Sequence, residues 1–299
     1  MTTRANGPLA GLAWLKRGLN VGRTNPRAVF GGASLLMVAA LVPGVLQVFA
    51  HALLRPGPGL AAVIAALTTV VSVILLGPLM GGYLRVIDAS ERGVPAHAAD
   101  VLAPFRDAHD ARRMIVFSFV MLLVQLGAFT VIMAIFGGVM EALQAWSASL
   151  AELLQNAKPG QQPAVPAPPE GVGGLFSLAG LFALFVAAVF AIGLGQLVLR
   201  GRSVGAALLE GLSGASRNLL PLLVMAVVII AAVMAASLAA LLVATVLSLL
   251  HPTLGVLAVL LLYLGAMLAL YAVMFGVMYH FWRDVAGDTP APAIAGFEA

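Results

Sequence analysis

The chain has 299 residues, of which 62% are apolar and 9% charged, with a formal net charge of +4 and no cysteine. Soluble domains are about 45–50% apolar and about 25% charged, so this chain has too few polar residues to cover a water-facing surface. That excludes a soluble enzyme, a nucleic-acid-binding domain and a disordered regulator, and the missing cysteines exclude disulfides, thiolate chemistry and Cys-ligated metals.

What is left is an all-α polytopic membrane protein, in line with a mean hydropathy of +1.05. Residues 1–27 form a basic segment ahead of the first apolar run. A secretory signal has a short charged start and a short apolar core, so this segment is not read as one. Ala50-His51-Ala52 has the form of a cleavage site, but the apolar run before it is too long. Within the segment, Leu9, Leu12, Leu15 and Leu19 fall on one side of a helix near Trp14. Lys16, Asn20, Arg23 and Arg27 recur at i, i+4, i+7 and i+11 as a polar, mostly basic stripe. Such a helix lies in the headgroup plane with its basic side toward anionic lipid. Charges that only set orientation and anchor the bundle are the plainer alternative.

Six apolar runs follow, at 28–54, 59–87, 114–143, 174–200, 218–250 and 253–282. Each is long enough to cross a bilayer, which takes about 20 helical residues. The sequence therefore divides into a segment 1–27, a six-span domain 28–282 with a long external loop at 144–173, and a tail 283–299. The loop opens helically, with Leu143, Trp146, Leu150 and Leu153 on one face, and then turns proline-rich from Lys158 to Glu170. Closely spaced prolines forbid a helix and favour extended coil. The stretch reads as a periplasmic linker between hairpins, with a partner-binding motif as the alternative.

Basic residues alternate along the chain. Five precede span 1, five lie between spans 2 and 3, three between spans 4 and 5, and Arg283 follows span 6. The opposite side carries only Arg55 and Lys158. The positive-inside rule then places both termini in the cytoplasm. Arg outnumbers Lys by 14 to 2, a coding bias of GC-rich bacteria, so the expected location is a bacterial inner membrane.

The approaches to spans 1, 3 and 5 share a layout. Leu15-Lys-Arg-Gly18-Leu19 is followed by Arg23-Thr24-Asn25-Pro26, and Leu208-Leu-Glu-Gly211-Leu212 by Ser216-Arg217-Asn218. Val101-Leu-Ala-Pro104-Phe105, followed by Asp110-Ala-Arg112-Arg113, is a weaker version. The chain reads as three repeats of an amphipathic helix plus a transmembrane hairpin.

This arrangement resembles a loosely defined set of bacterial inner-membrane proteins: the YciC-like family and the membrane domain attached to some glycerophosphodiester phosphodiesterases. Trp14-x-x-x-Gly18, Arg23-x-Asn25-Pro26, and Gly77-Pro78 with Gly81-Gly82, Gly93 and Val101-Leu-x-x-Phe105-Arg106 carry the resemblance. It covers nearly all of the transmembrane region and implies a six-helix fold. It implies almost no chemistry, and the phosphodiesterase activity does not transfer without its soluble domain.

No Asp, Glu, Lys or Arg falls in the middle of any run. A proton- or sodium-coupled transporter commonly places such a group there, so that class is disfavoured. Gln125, Thr130 and Gln196 are the main intramembrane polar candidates. They serve either interhelical hydrogen bonds or the lining of a polar groove near Gln125 and Gln196. Ala232, Ala236 and Ala240 in span 5, and Gly265, Ala269, Ala272 and Gly276 in span 6, suggest close packing within that hairpin or dimerisation. No H-E-x-x-H, P-loop or G-x-S-x-G motif is present, so no catalytic, metal or cofactor site is expected. The candidate headgroup-binding residues are Lys16, Arg17, Arg23, Arg27, Arg112, Arg113 and Arg217. The expected function is non-enzymatic, through contact with membrane lipids or assembly with itself or another membrane protein, without nucleic acid. A passive or substrate-gated transporter is the alternative.

The charge alternation makes a direct prediction. In intact cells, cysteine introduced as Ser147→Cys reacts with an impermeant thiol reagent and Thr3→Cys does not. The reverse pattern inverts the topology.

Overall fold

The structure, a computed structural model, describes residues 3–156 and 165–287. Among the described residues all regular structure is helical. In chain order the elements are α1 (Ala10–Leu19), α2 (Pro26–Leu54), α3 (Pro58–Glu91), a 3-10 helix (Ala98–Arg106), α4 (Ala108–Asn156), α5 (Val172–Leu199), α6 (Val204–Arg217), α7 (Leu219–Leu250) and α8 (Pro252–Ala286). Helices α2, α3, α4, α5, α7 and α8 are long and apolar enough to cross a membrane, which makes this a multi-pass membrane protein. They match the six expected runs to within a few residues, except α4, which begins earlier and runs on to Asn156.

Local chemistry sets the ends of these helices. Asn25 caps α2, its side chain accepting from the Ala28 N–H at 3.2 Å, and Pro26 occupies the first turn, where its missing N–H costs nothing. Arg55 ends α2 in the left-handed conformation, and Pro58 opens α3. Pro43 and Pro78 lie inside α2 and α3, a placement that membrane helices tolerate.

The described residues form two compact units. The first runs up to Phe119 and resumes at Ala188; the second is Val120–Ala187. In the first unit, α2 packs on α3, α7 on α8, and α1 on both α7 and α8. The α3–α8 contact centres on Tyr83 and Phe275, whose rings meet edge to face at 5.0 Å. The start of α4 packs there too: Phe117 lies 5.6 Å from Phe190, and Arg85 of α3 pairs with Asp110 at 2.6 Å.

The second unit holds the rest of α4 and most of α5. Phe136 interrupts α4 with non-helical dihedrals (φ −118°, ψ 18°), so two helices meet there at a kink. The Trp146 indole donates to the Pro166 carbonyl at 3.0 Å. Residues 157–164, which include much of the expected proline-rich coil, lie outside the described residues; 165–169 have no regular structure. The tail beyond 287 is likewise outside them.

The short helix expected before α4 is present and is of the 3-10 type. Pro104 removes an internal donor, and the His97 N–H is taken by Asp100 at 2.7 Å, which tightens the first turn. Of the small-residue stripes, Ala232 and Ala236 of α7 and Gly265 and Ala269 of α8 are exposed, and Gly276 lies against Val21 and Gly18. The α7–α8 hairpin closes near its turn, where Gly255 lies against Ser248 and the Ala244 carbonyl.

The 3-10 helix seats on α3 at Gly82, where a Cβ would lie 2.1 Å from the Val101 carbonyl oxygen. Overpacking of this kind costs about 1–3 kcal/mol. Gly82→Ala is expected to lower the unfolding temperature in detergent. Gly44→Ala, with open space around it, is expected to leave stability unchanged or raise it. Equal effects would remove Gly82 from the packing argument.

Candidate functional site

Several charged side chains collect where α1 meets the end of α8, near the ends of α3 and α5. Helix α1 docks through Gly11, Trp14 and Gly18, its buried face, at i, i+3 and i+7. A Cβ at Gly11 would lie 2.1 Å from the Pro221 carbonyl oxygen, so only glycine lets α1 approach α7 this closely. Leu9, just before α1, is 70% exposed and Leu19 64%, whereas Leu15 is half-buried. Helix α6 repeats the scheme. It buries Ala207, Gly211, Gly214 and Ala215 and exposes Leu209 and Leu212.

Trp14 is fully buried against Phe281, ring to ring at 4.7 Å. A buried indole needs an acceptor. Its N–H donates to Asp284 Oδ2 at 2.9 Å, and the same carboxylate takes the Arg17 guanidinium, one nitrogen donating to Oδ1 at 3.2 Å. A second acid, Asp88 near the end of α3, accepts from the Tyr279 hydroxyl at 3.1 Å and pairs with Arg92. His280 is buried beside it, its Nε2 3.6 Å from Glu91 Oε2. The Arg200 guanidinium sits 6.0 Å from the Trp282 ring and that of Arg283 5.5 Å from the Tyr279 ring, both within cation–π range.

The N-terminal residues close this end as a strap. The Arg4 N–H donates to the Val285 carbonyl at 2.9 Å, and its guanidinium reaches the Gly287 carbonyl. Asn218, fully buried between α6 and α7, holds the strap from the other side. Its Oδ1 accepts from the backbone and side chain of Asn6 at 2.9 and 3.0 Å, and its Nδ2 donates to the Arg4 and Gly214 carbonyls at 2.9 and 2.8 Å. Asn25 and Asn218 thus both sit at a corner between a short helix and a spanning helix. Asn25 caps its helix and reaches Ala96, whereas Asn218 binds the strap.

Together these groups surround a pocket of 860 Å³. Arg4, Arg17, Arg92, Arg200 and Arg283 line it, against two acids, Asp88 and Asp284. Among the described residues no group of three or more His, Asp or Glu is placed to hold a metal ion. Comparison with protein-family models, with curated proteins and with solved structures finds no match.

The candidate headgroup residues divide into two sets. Lys16, Arg23, Arg27 and Arg112 are exposed and make no ion pair among the described residues. The others are tied down: Arg17 to Asp284, Arg113 to Asp110 and the Leu197 and Arg202 carbonyls, and Arg217 to the Thr3 carbonyl at 2.6 Å. Of the intramembrane candidates, Gln196 is buried at 1% exposure and donates to the Ala286 carbonyl at 3.3 Å. Gln125 and Thr130, in the second unit, are exposed, and Thr130 bonds back to the Leu126 carbonyl at 2.9 Å. Sequence reasoning passed over Asp284, Tyr279, Trp282 and Arg4. The available signal was Trp14: a tryptophan on an otherwise small docking face needs a buried acceptor, and Asp284 is an acid just past the last apolar run.

Asn218→Ala tests the strap. Each buried amide group left without a partner costs about 1–3 kcal/mol. The variant is expected to unfold at lower temperature and to become cleavable by protease within residues 3–9. Unchanged protease resistance would show that the strap is held without Asn218.

Proposed function

We propose that the chain is a bacterial inner-membrane protein with both termini in the cytoplasm, working through lipid contact rather than catalysis. The observation that carries this reading is the docking of α1. Its glycine and tryptophan face is spent on the bundle, so Leu9, Leu12 and Leu19 are left outward beside exposed Lys16 and close to Arg23 and Arg27. Outward leucines with basic neighbours are what an interfacial helix presents to the acyl–headgroup boundary. Helix α6, with Leu209 and Leu212, and the 3-10 helix, with Leu102 and Phe105, offer further exposed apolar side chains. Arg112 adds an exposed charge at the start of α4.

On this reading the three short elements are the repeated, membrane-reading parts of three helix-plus-hairpin units, and the spans hold them at a fixed depth. A sequence without an H-E-x-x-H, P-loop or G-x-S-x-G motif is in keeping with a role in lipid contact or partner assembly. The resemblance to the YciC-like proteins belongs to this proposal and rests on the short motifs around Trp14, Asn25 and Gly82.

The test uses the full chain in nanodiscs of phosphatidylcholine alone or with phosphatidylglycerol. Each basic residue near an anionic surface is worth about 1 kcal/mol, and surface charges are screened over about 8 Å at physiological salt. The anionic bilayer is expected to raise the unfolding temperature, with an advantage that shrinks as salt rises. Replacing Lys16, Arg23 and Arg27 together by Gln should remove most of that advantage while leaving the value in neutral bilayers unchanged. Equal stability in both bilayers would leave α1 as a plain hydrophobic anchor.

A further inference from the structure

We infer that two copies of this chain associate in the membrane through α4, the Gln125 amide of each copy hydrogen-bonded to that of the other. Such pairing goes beyond contact with lipid headgroups: it puts a partner inside the bilayer.

Gln125 belongs to the hydrocarbon. No charged residue occurs between Arg113 and Glu141, and Gln125 stands near the middle of that stretch. A helix rises about 1.5 Å per residue, so Gln125 lies roughly 18 Å along α4 from Arg113, in a hydrocarbon core about 30 Å thick. Water is absent at that depth.

Its amide is unsatisfied there. Gln125 is exposed and makes no hydrogen bond among the described residues. Its neighbours Leu123, Val124, Leu126 and Phe129 are also open, at 42–57% exposure. Those side chains need no partner, because acyl chains are as apolar as they are. A primary amide does need one, and hydrocarbon offers it neither donor nor acceptor. Two other intramembrane polar side chains show how the chain meets this need internally. Gln196 is buried and donates to the Ala286 carbonyl, and Thr130 donates back to the Leu126 carbonyl. Gln125 has neither arrangement.

Symmetry selects the partner. An amide carries two N–H donors and a carbonyl acceptor, so it complements itself. Copies inserted in the same orientation bring their α4 helices together in parallel, with both Gln125 residues at one depth. Around a two-fold axis each amide then donates to the other, and a single residue type meets the whole requirement. A different protein would need its own polar group at that level; a second copy has one there already. Side-chain hydrogen bonds of this kind hold membrane helices together.

The experiment uses the full chain. It has no cysteine of its own, so Ser147→Cys gives a single labelling site. Donor- and acceptor-labelled copies are mixed in phosphatidylcholine vesicles, and energy transfer is followed as the protein is diluted with lipid. Transfer is expected to rise with protein density and saturate. Losing both bonds of the pair in Gln125→Leu should move the midpoint to about tenfold higher density. Thr130→Val removes a hydroxyl already satisfied on its own helix and should leave the midpoint unchanged. In the otherwise cysteine-free chain, Gln125→Cys should give a disulfide-linked dimer on oxidation. Gly127→Cys, in open space about 200° round the helix, should not. This second readout keeps the test available should Gln125→Leu fail to fold. Three results each overturn the proposal: transfer at the level of chance proximity at every density, an unchanged midpoint in Gln125→Leu, or cross-linking as strong through Gly127→Cys as through Gln125→Cys. Neutral vesicles keep headgroup charge out of the measurement, so the surface-contact reading stands or falls separately, on Lys16, Arg23 and Arg27.

Discussion

Two apolar helices immersed in lipid gain little by hiding from their surroundings, because the acyl chains are as apolar as they are. Association then depends on close packing and on polar groups that must be satisfied inside the protein. The first unit is organised around that constraint. Gly11 and Gly18 bring α1 onto α7 and α8, and Gly82 brings the 3-10 helix onto α3. Once α1 is this close, Trp14 is sealed in and its N–H must find an acceptor. Asp284 supplies it and then requires a cation, which is Arg17. A backbone contact available only to glycine thus fixes where the charged end of the protein assembles.

The arginines at this end act in two electrostatic regimes. Lys16, Arg23, Arg27 and Arg112 are open to solvent, where ions screen them and their reach is short. Arg17 and Arg113 are partly enclosed and held by carboxylates or backbone carbonyls. Charges of the second kind hold their geometry and respond less to salt, because their counter-ions are part of the fold. Composition treats both kinds as basic residues; geometry separates charges left open to solvent from charges held by the fold.

The helical class and the six spans were legible because hydropathy over twenty or more residues is a strong signal, and nothing in tertiary packing competes with it. The short elements were legible only in part. Leu9, Leu12 and Leu19 dominate the apolar pattern of α1, yet its buried face is Gly11, Trp14 and Gly18, because close approach outweighs side-chain hydrophobicity in this setting. Ala232 and Ala236 have the spacing of a packing stripe, yet no helix of the described residues covers them. Spacing alone does not say which neighbour arrives. The arginine-lined pocket was illegible for a different reason. Its walls come from the N-terminal strap, α1 and the ends of α3, α5 and α8, so no local window contains two of its sides.

The strap carries a consequence for biogenesis. Arg4 reaches the backbone of Arg283 and Gly287, the first of these 279 residues away along the chain. A ribosome adds about 5–20 residues per second, so the first residues to emerge wait tens of seconds for their partners. Throughout that interval the early hairpin is already in the bilayer while the acceptors for Arg4 have yet to be made. Closure of the strap is therefore among the last events of assembly, and it reports that α8 has been inserted. A chain stalled or cut before Val285 would keep its spans and lose the carbonyls of Val285 and Gly287 that hold Arg4, leaving the strap to its contacts with Arg217 and Asn218.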